Sequence, residues 1–364
     1  MIQLKDLCQK ASSNIAQKDL EGHEGQYPIY GASGLIGYVD FYKQENPYVA
    51  VVKDGAGIGR VMCLPEKSSV IGTMQYILPN EGVNVHYLAF AMEHMNLAKY
   101  FSGATIPHIY FKDYGKEKLL ERTEKEQKSI AEILSKMDSL ISLRKQQIAK
   151  LDELVKARFV EMFGDCKTNP KNWKTKALEK IANVGSCKRV FVEELQDSGI
   201  PFYRGTEIGA LAEKKAVIPA LFITEEHYKQ LCETTGKPQK GDLLMPSICP
   251  DGRIWIVDTD EPFYFKDGRV LWVHLTSANY NSVFLLYTLK DRIMTDYASI
   301  ASGTTFAELK IFALKKCKIF DVPLELQNQF ANFVERVDKQ KQTVQQSLEK
   351  LELMKKALMQ EYFG

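Results

Sequence analysis

The sequence predicts an α+β fold that is built twice, with each copy made of a mixed domain followed by one long helix. Three observations carry this prediction: a repeat that relates the two halves of the chain, a heptad pattern at the end of each half, and short β-rich runs mixed with a few helical segments. Strands mixed with helices, without regular βαβ alternation, indicate an α+β domain.

The repeat is clearest at the end of each half. Residues 124–164 and 324–364 align without a gap at an offset of 200, and 11 of the 41 positions are identical. Offsets of 200, 193 and 173 relate three further pairs: Ser102-Gly103-Ala104-Thr105 with Ser302-Gly303-Thr304-Thr305, Gly59-Arg60-Val61 with Gly252-Arg253-Ile254, and Pro28-Ile29-Tyr30 with Pro201-Phe202-Tyr203. Offsets that grow along the chain are typical of two copies of one unit when the second copy carries insertions. The sequence therefore indicates a tandem duplication.

A heptad pattern follows each mixed domain. Apolar or long side chains recur in alternating steps of four and three over about five heptads, with no proline or glycine between them, which is typical of a coiled coil about 60 Å long. The main seam positions are Ile130, Leu134, Met137, Ile148 and Leu151 in the first copy and Phe330, Val334, Val337, Leu348 and Leu351 in the second. At four further seam positions one copy is charged where the other is apolar, as in Val155 and Lys355. Drift alone could produce this asymmetry, but it also suits two helices that pair within one chain, and we favour an intramolecular coiled coil over two exposed bundle helices.

Local patterns place the shorter elements. Residues 48–52 and 268–275 are β-rich runs, a third run ends at residues 77–80, and residues 87–100 and 284–297 have helical spacing. The boundaries that follow are a first mixed domain over residues 1–121, its helix over 122–164, a second mixed domain over 165–321 and its helix over 322–364.

Composition narrows the class of protein. The chain has 364 residues, 45% of them hydrophobic and 26% charged, with a net charge of +2. Any basic binding surface must therefore be local. Seven scattered cysteines without a CxxC spacing predict free thiols in a reducing cytosol, and no apolar run is long enough to predict a signal peptide or a membrane span.

The stretch Lys53-Asp54-Gly55-Ala56-Gly57-Ile58-Gly59-Arg60 raises the question of a phosphate-binding loop, because it places three glycines beside basic side chains. A dinucleotide fingerprint needs a third glycine at the sixth position and a helix after it, whereas this stretch has Arg60 there and a predicted strand over residues 61–64. It predicts a glycine turn that presents Arg60, or a hairpin with an incidental surface arginine, and no nucleotide site.

No other motif predicts catalysis. The chain lacks a Walker sequence and a complete amino-methyltransferase motif, and its six histidines show no metal-ligand spacing, so we expect no catalytic residue, no cofactor and no metal. Basic residues near predicted loops recur in both copies instead. Lysine and arginine can neutralise phosphates and arginine can read guanine, although each residue alone is more often a solubilising surface charge.

The order of these pieces resembles the specificity (S) subunit of type I restriction–modification systems. The matching residues begin with Leu4-Lys5-Asp6-Leu7 and Leu178-Glu179-Lys180-Ile181 at the domain starts, and include the two Ser-Gly sequences and Pro323-Leu324-Glu325-Leu326-Gln327 before the second helix. Asn169-Pro170-Lys171-Asn172-Trp173 leads into the second domain. The first copy departs from the pattern, since it lacks counterparts of Pro323 and Trp173.

The resemblance implies that each mixed domain is a target-recognition domain and that the helices form an antiparallel spacer, related by a pseudo-twofold axis. It implies double-stranded DNA, two methyltransferase subunits and motor–nuclease restriction subunits as partners, no catalysis by the chain itself, and a cytoplasmic location. The candidate DNA contacts are Lys53, Arg60, Ser102, Thr105 and Lys112 in the first copy and Arg189, Arg204, Arg253, Arg269, Ser302 and Thr305 in the second.

Two other functions remain open at this point. The chain could be a non-catalytic coiled-coil scaffold, such as an orphan S-like protein that assembles partners without reading DNA. A stand-alone nuclease or methyltransferase is disfavoured by the missing motifs.

Overall fold

The computed structural model describes residues 1–103, 107–303 and 307–364, which form two compact units. Unit 1 comprises Met1–Ile148 and Thr343–Gly364, and unit 2 comprises Ala149–Gln342. Two long helices, α4 (Glu124–Phe163) and α9 (Leu324–Phe363), each contribute one part to each unit.

Unit 1 combines two small sheets with short helices. Its elements in chain order are β1 (Ile2–Gln3), α1 (Leu4–Leu7), β2 (Cys8–Ser12), β3 (Tyr27–Gly31), β4 (Gly34–Val39), β5 (Tyr48–Val52), β6 (Val61–Leu64), β7 (Ser69–Val70), β8 (Met74–Pro79), α2 (Val85–His94), α3 (Phe111–Tyr114), β9 (Lys118–Leu119) and the first part of α4 (Glu124–Phe163). One antiparallel sheet has the order β2-β8-β5-β6, the other has the order β4-β3-β7 with β3 and β7 parallel, and β1 pairs with β9.

The centre of unit 1 is strand β5, which is buried along its whole length. Val49 and Val51 point into the cluster formed with α2, while Tyr48, Ala50 and Val52 point into a second cluster on the other face of the sheet. A strand buried on both faces reads as a continuous apolar run, which is why the sequence predicts it well.

Unit 2 repeats this topology. Its elements are the second part of α4, β10 (Thr175–Ala177), β11 (Ala182–Gly185), β12 (Ile200–Tyr203), α5 (Gly205–Ala212), β13 (Phe222–Ile223), α6 (Glu225–Thr235), β14 (Leu243–Pro246), β15 (Trp255–Ile256), β16 (Tyr264–Phe265), β17 (Val270–Leu275), α7 (Ser282–Ile300), β18 (Ala301–Ser302), β19 (Glu308–Leu309), α8 (Ile311–Lys315), β20 (Lys318–Phe320) and the first part of α9 (Leu324–Phe363). Its sheets have the orders β11-β17-β14-β15 and β13-β12-β16, with β12 and β16 parallel, and β10 pairs with β20. The duplication predicted from the sequence is confirmed.

Strand register supports the alignment of the two copies. Ala50 pairs with Met62 in unit 1, and Leu244 pairs with Trp255 in unit 2. Met62 and Trp255 therefore hold equivalent places, at the offset of 193 that the repeat predicts. Helices α5 and α6, in the interval between β12 and β14, belong to the extra length of the second copy.

The helices of the mixed domains differ from the sequence prediction at their ends. Helix α2 ends at His94, before the predicted end at residue 100, and a 3₁₀ turn follows over Leu97–Tyr100. Asn96 causes the break, because it adopts the left-handed conformation with φ of 50°, which asparagine tolerates better than most residues. Helix α7 is longer than predicted and continues to Ile300 through a kink at Asp296.

The long helices run antiparallel to each other within each unit. In unit 1, Lys145 Nζ lies 2.9 Å from a Glu352 carboxylate oxygen. In unit 2, Lys341 Nζ lies 2.5 Å from a carboxylate oxygen of Asp152. Asp138 also pairs with Lys355 in unit 1, and the ring of Phe159 lies against that of Phe330 in unit 2. Within each unit, residue numbers that rise along one helix therefore meet numbers that fall along the other. Each helix has 40 residues, and the predicted fold class, two mixed domains with an antiparallel coiled coil, is confirmed.

The predicted seam residues face the interior to different degrees. The buried ones are Ile130, Leu134, Met137, Phe330, Val334, Val337 and Leu348, and the half-buried ones are Ile148, Leu151 and Leu351. Near the C-terminal ends the buried stripe widens to include Phe159 and Phe163 in one helix and Met359 and Phe363 in the other. A straight helix has 3.6 residues per turn, so its buried face drifts away from a strict seven-residue repeat. The residues near the C-terminal ends pack into the domain cores.

A charged seam position is accommodated by acidic partners in unit 1. Lys355 Nζ lies 2.8 Å from a carboxylate oxygen of Asp138 and 3.3 Å from one of Glu93. Burial alone would lower the pKa of Lys355, but its hydrogen bond to Asp138 and the charge of Glu93 outweigh burial and raise it. The lysine therefore stays charged where Val155, its counterpart in unit 2, is buried and apolar.

One glutamine near the start of each long helix ties that helix to its mixed domain. Gln127 and Gln327 are both buried, and their side-chain oxygens accept hydrogen bonds from the backbone N–H groups of Asn84 (3.0 Å) and Asn281 (2.9 Å). Those asparagines in turn cap α2 and α7. The Gln327 amide also donates to the carbonyl of Val322 at 2.9 Å. This shared contact explains why the glutamine recurs at the offset of 200.

Replacing Gln327 with alanine is expected to lower the free energy of unfolding by about 2–3 kcal/mol, because it leaves buried backbone groups without partners. Gln345→Ala serves as the matched control, since Gln345 is an exposed glutamine of the same helix whose side chain donates to Glu349, four residues further on. Urea unfolding of the two variants measures the difference, and equal midpoints would contradict the assigned role.

Candidate nucleic-acid interface

Three segments of unit 1 meet beside its Ser-Gly sequence. The backbone N–H of Lys53, just after β5, donates to the carbonyl of Thr73, just before β8, at 3.0 Å. The N–H of Ile109 donates to the carbonyl of Lys53 at 3.0 Å, and Ser102 and His108 exchange two backbone hydrogen bonds of 2.8 and 2.9 Å. We call residues 107–110 the return segment of unit 1. The three segments border an open cleft of about 700 Å³.

Unit 2 has the same framework. The N–H of Ser247 donates to the carbonyl of Arg269 at 2.8 Å, and the N–H of Leu309 donates to the carbonyl of Ser247 at 2.7 Å. Ser302 pairs with Glu308 as Ser102 pairs with His108. Residues 307–310 are the return segment of unit 2. Their burial repeats that of residues 107–110 position by position.

A glycine is required at the same place in both frameworks. Gly103 and Gly303 have φ of 104° and 127°, values that L side chains rarely adopt. This requirement accounts for the glycine that the two Ser-Gly sequences share.

The side chains around the cleft of unit 1 form a mixed polar and aromatic group. His108 Nδ1 donates to a carboxylate oxygen of Asp54, and Lys53 Nζ lies 3.3 Å from the other oxygen. The His108 ring lies 4.2 Å from the ring of Tyr110, measured between centroids, and Lys112 Nζ lies 5.1 Å from the Tyr110 centroid. The arrangement offers a carboxylate acceptor, an imidazole, two ammonium groups and an exposed aromatic face.

Different side chains occupy the equivalent place in unit 2. Arg269 forms an ion pair with Glu308, and Lys310 Nζ lies 3.4 Å from the second Glu308 oxygen. Exposed Phe312 carries Lys316 Nζ 3.9 Å above its ring. The two units share this backbone arrangement, but the side chains at the equivalent positions differ.

The structure brings together three of the candidate DNA contacts of the first copy, Lys53, Ser102 and Lys112. Arg60 stands at the end of the glycine loop, which is a turn as predicted, with φ of 80°, 87° and 80° at Gly55, Gly57 and Gly59. The Arg60 guanidinium is exposed and donates to the carbonyl of Ala32 at 2.7 Å.

In the second copy the framework contains Arg269 and Ser302, while the other candidates lie on different segments. Arg189 stacks over exposed Phe191, with 5.3 Å from its guanidinium carbon to the ring centroid. Arg253 lies 2.7 Å from an oxygen of Asp251. Thr105 and Thr305 lie outside the described residues.

Arg204 forms an ion pair at the start of α5. Its guanidinium lies 2.6 Å from a carboxylate oxygen of Glu207. Burial would raise the pKa of that carboxyl, but the hydrogen bonds from Arg204 and Thr206 outweigh it and lower the pKa to about 2. Arg204 is therefore engaged by a firmly ionised partner in the free protein.

Sequence reasoning missed four residues that the structure places at the two equivalent frameworks: Asp54, His108, Glu308 and Lys310. The internal repeat contains a signal that could have identified two of these residues. His108 and Glu308 are related by the same offset of 200 as the Ser-Gly sequences, and they differ in charge where the framework around them agrees.

The cysteines and histidines of the described chain form no further site. All seven cysteines are free thiols. Within residues 1–103, 107–303 and 307–364, no cluster of histidine, cysteine and carboxylate groups could hold a metal ion. No helix among these residues is long and apolar enough to cross a membrane.

The fold is that of type I restriction–modification specificity subunits. The crystal structure of the S subunit from M. genitalium matches with a TM-score of 0.63 at 16% identity, over 100% of this chain and 95% of that one. A second structure, reported for complex assembly and conformational transition of the type I R-M system, matches with a TM-score of 0.55 at 14% identity, over 99% and 96% of the two chains.

The family follows from the sequence match. The model of the type I restriction modification DNA specificity domain matches residues 1–153 and 170–353, so the chain belongs to this family. A Haemophilus influenzae protein described as a putative type I restriction enzyme specificity subunit is 24% identical over 333 residues, which is 86% of this chain and 80% of that protein. The resemblance predicted from the sequence is confirmed.

Proposed function

We propose that this chain reads an asymmetric, bipartite DNA target for a type I restriction–modification complex in the cytoplasm. Each mixed domain recognises one half-site of the duplex, and the helix pair holds the two domains at a set distance. The observation that supports the proposal is the backbone framework that the two domains share, since the same backbone in two domains with different side chains is what two different half-sites require. Base contacts specify sequence, whereas phosphate contacts only position the protein.

Docking of two methyltransferase subunits on the long helices is part of this proposal, with restriction subunits joining the assembly. Helices α4 and α9 expose several large apolar side chains that are available to contact partner subunits. The exposed side chains are Ile133, Leu140, Leu143, Leu154, Val160, Leu324, Leu353 and Met354. The chain itself is proposed to be non-catalytic, because its sequence contains no cofactor-binding or nuclease motif.

Exchange of one domain tests the proposal. Replacing residues 1–121 with the matching domain of another S subunit, in a complex with its methyltransferase, is expected to change one half-site of the methylated target and leave the other intact. The reciprocal exchange of residues 165–321 should change the other half-site. Mapping of methylated bases in cells gives the readout.

Two outcomes would contradict the proposal. A change in both half-sites, or in neither, from a single exchange would mean that the domains do not read separate halves. Methylation or DNA binding without any sequence preference would favour the alternative function, a coiled-coil scaffold that assembles partners without reading DNA.

A further inference from the structure

We propose that two hydrogen-bonded side-chain couples, Asp54 with His108 and Arg269 with Glu308, are specificity-determining contacts to base edges, one couple for each half-site. The inference rests on the proposed function and goes beyond it by naming the groups that distinguish the half-sites. It assigns recognition to Asp54, His108 and Glu308, which the pattern of basic side chains does not indicate, together with Arg269, which that pattern does indicate.

The two couples occupy the same place in their units. His108 and Glu308 are both the second residue of a return segment, and both pair with the serine of the Ser-Gly sequence. The next residue, Ile109 or Leu309, is buried and fixes the return segment to the strand beside it. The backbone therefore holds His108 and Glu308 in equivalent positions, and only their side chains differ.

The partner of each couple comes from a different segment. Asp54 follows β5 in unit 1, whereas Arg269 precedes β17 in unit 2. As a result, the return segment supplies the basic member of the couple in unit 1 and the acidic member in unit 2. The hydrogen-bond donor and acceptor of the couple therefore stand on opposite segments in the two units, although the backbone frameworks are similar. This exchange predicts that the two half-sites differ in base sequence.

The carboxylates favour contacts to bases over contacts to phosphates. Phosphate oxygens repel a carboxylate, whereas the amino groups of cytosine and adenine can donate to it. Arginine binds the O6 and N7 atoms of guanine in a bidentate manner. His108 uses Nδ1 for Asp54 and leaves Nε2 for a base.

Access and orientation also fit base readout. The side chains of Asp54 and Glu308 are 25% and 28% exposed, so each carboxylate is held by its partner and can still be reached from solvent. Asp54 also lines the cleft of unit 1. Lys53 and Lys310, which lie next to the carboxylates, can contact the flanking phosphates and position the protein.

The experiment uses the full chain in complex with its methyltransferase and maps methylated bases in cells that have no other methylation at these sites. His108→Asn is expected to relax the half-site that the exchange of residues 1–121 changes, and Glu308→Gln is expected to relax only the other. Preference for the original base at the affected position should fall by about 10- to 100-fold, which is the discrimination of one good base contact.

The design includes matched controls and second variants. His23→Asn changes another His–Asp pair of unit 1, with a distance of 2.9 Å, and Asp260→Asn changes an exposed pair with Lys240 in unit 2. Both controls should keep the original target. Asp54→Asn and Arg269→Lys change the other member of each couple and should affect the same half-site as the first variants. Melting temperatures close to that of the wild type show that each variant folds.

The results separate the inference from the proposed function. A sequence-specific wild-type complex whose couple variants keep both half-sites would overturn the inference alone. A uniform loss of affinity across sequences, with a salt dependence of binding reduced by about one phosphate contact, would identify the couples as backbone contacts and also overturn it. A wild-type complex without sequence preference would remove the proposed function and the inference with it.

Discussion

Lengthening both long helices by one heptad is expected to lengthen the unread spacer of the DNA target by about three base pairs, with both half-sites unchanged. A heptad adds about 10 Å to a helix and preserves the phase of the seam. At about 3.4 Å per base pair, that length corresponds to about three base pairs of duplex. The expectation follows from the proposal that the helix pair sets the distance between the two recognition domains.

The insertion sites follow from the helix contacts. Insertions after Ala149 and after Glu349 both lie between the ion pairs Lys145–Glu352 and Asp152–Lys341, so the added heptads can pair with each other. An insertion after Ala149 alone leaves one heptad unpaired. That variant should be less stable than the wild type, and the second insertion should restore its stability.

Selection of methylated sites from a library with randomised spacer length gives the measurement. A complex that keeps the original spacer at full activity after both insertions would show that the helices do not set the distance. The domain exchange described above would still report on the half-sites, so a failure of the spacer prediction would leave their assignment intact.

The parts of the fold that the sequence predicts are those that depend on local pattern. The heptads of α4 and α9 and the apolar run of β5 extend over enough residues for one periodicity to dominate. The ends of elements depend on single residues instead. Asn96 stops α2 through its backbone conformation, and Phe159 and Phe163 are buried because a domain core lies beside the last turns of α4.

The candidate interface could be predicted only in part because its couples join distant segments. Asp54 and His108 are 54 residues apart, and Arg269 and Glu308 are 39 residues apart. Each of these charges alone has the appearance of an ordinary surface residue. Their pairing is set by backbone hydrogen bonds among three segments, such as the bond from Leu309 to Ser247, and no periodicity in the sequence encodes that register.

The sequence is equally limited in predicting which of the candidate lysine and arginine residues are free to contact DNA. The repeat aligns Arg60 with Arg253, yet the Arg60 side chain bonds to the carbonyl of Ala32, whereas the Arg253 side chain forms an ion pair with Asp251. A lysine or arginine count identifies where positive charge is available. The local hydrogen bonds decide which of those charges remain available to DNA.

Replacing Phe330 with alanine is expected to lower the free energy of unfolding by about 3–5 kcal/mol, which is the usual cost of removing a buried aromatic ring. Phe330 is fully buried in unit 2. Its ring centroid lies 5.5 Å from that of Phe163, 5.5 Å from that of Phe159 and 5.2 Å from that of Tyr287. A methyl group in its place leaves a cavity that three rigid rings cannot close.

Phe312→Ala is the matched control, because Phe312 is 68% exposed in the same unit and its removal should change the free energy of unfolding by less than about 0.5 kcal/mol. The Phe330 variant should melt on the order of 10 °C lower than the control. Because Phe330 lies on α9, Phe159 and Phe163 on α4 and Tyr287 on α7, one ring joins the helix pair to the second mixed domain. The unfolding midpoints measured by circular dichroism and by tryptophan fluorescence should therefore shift together in the variant. A shift in the helical signal without a shift in fluorescence would show that the helix pair and the domain do not share this core.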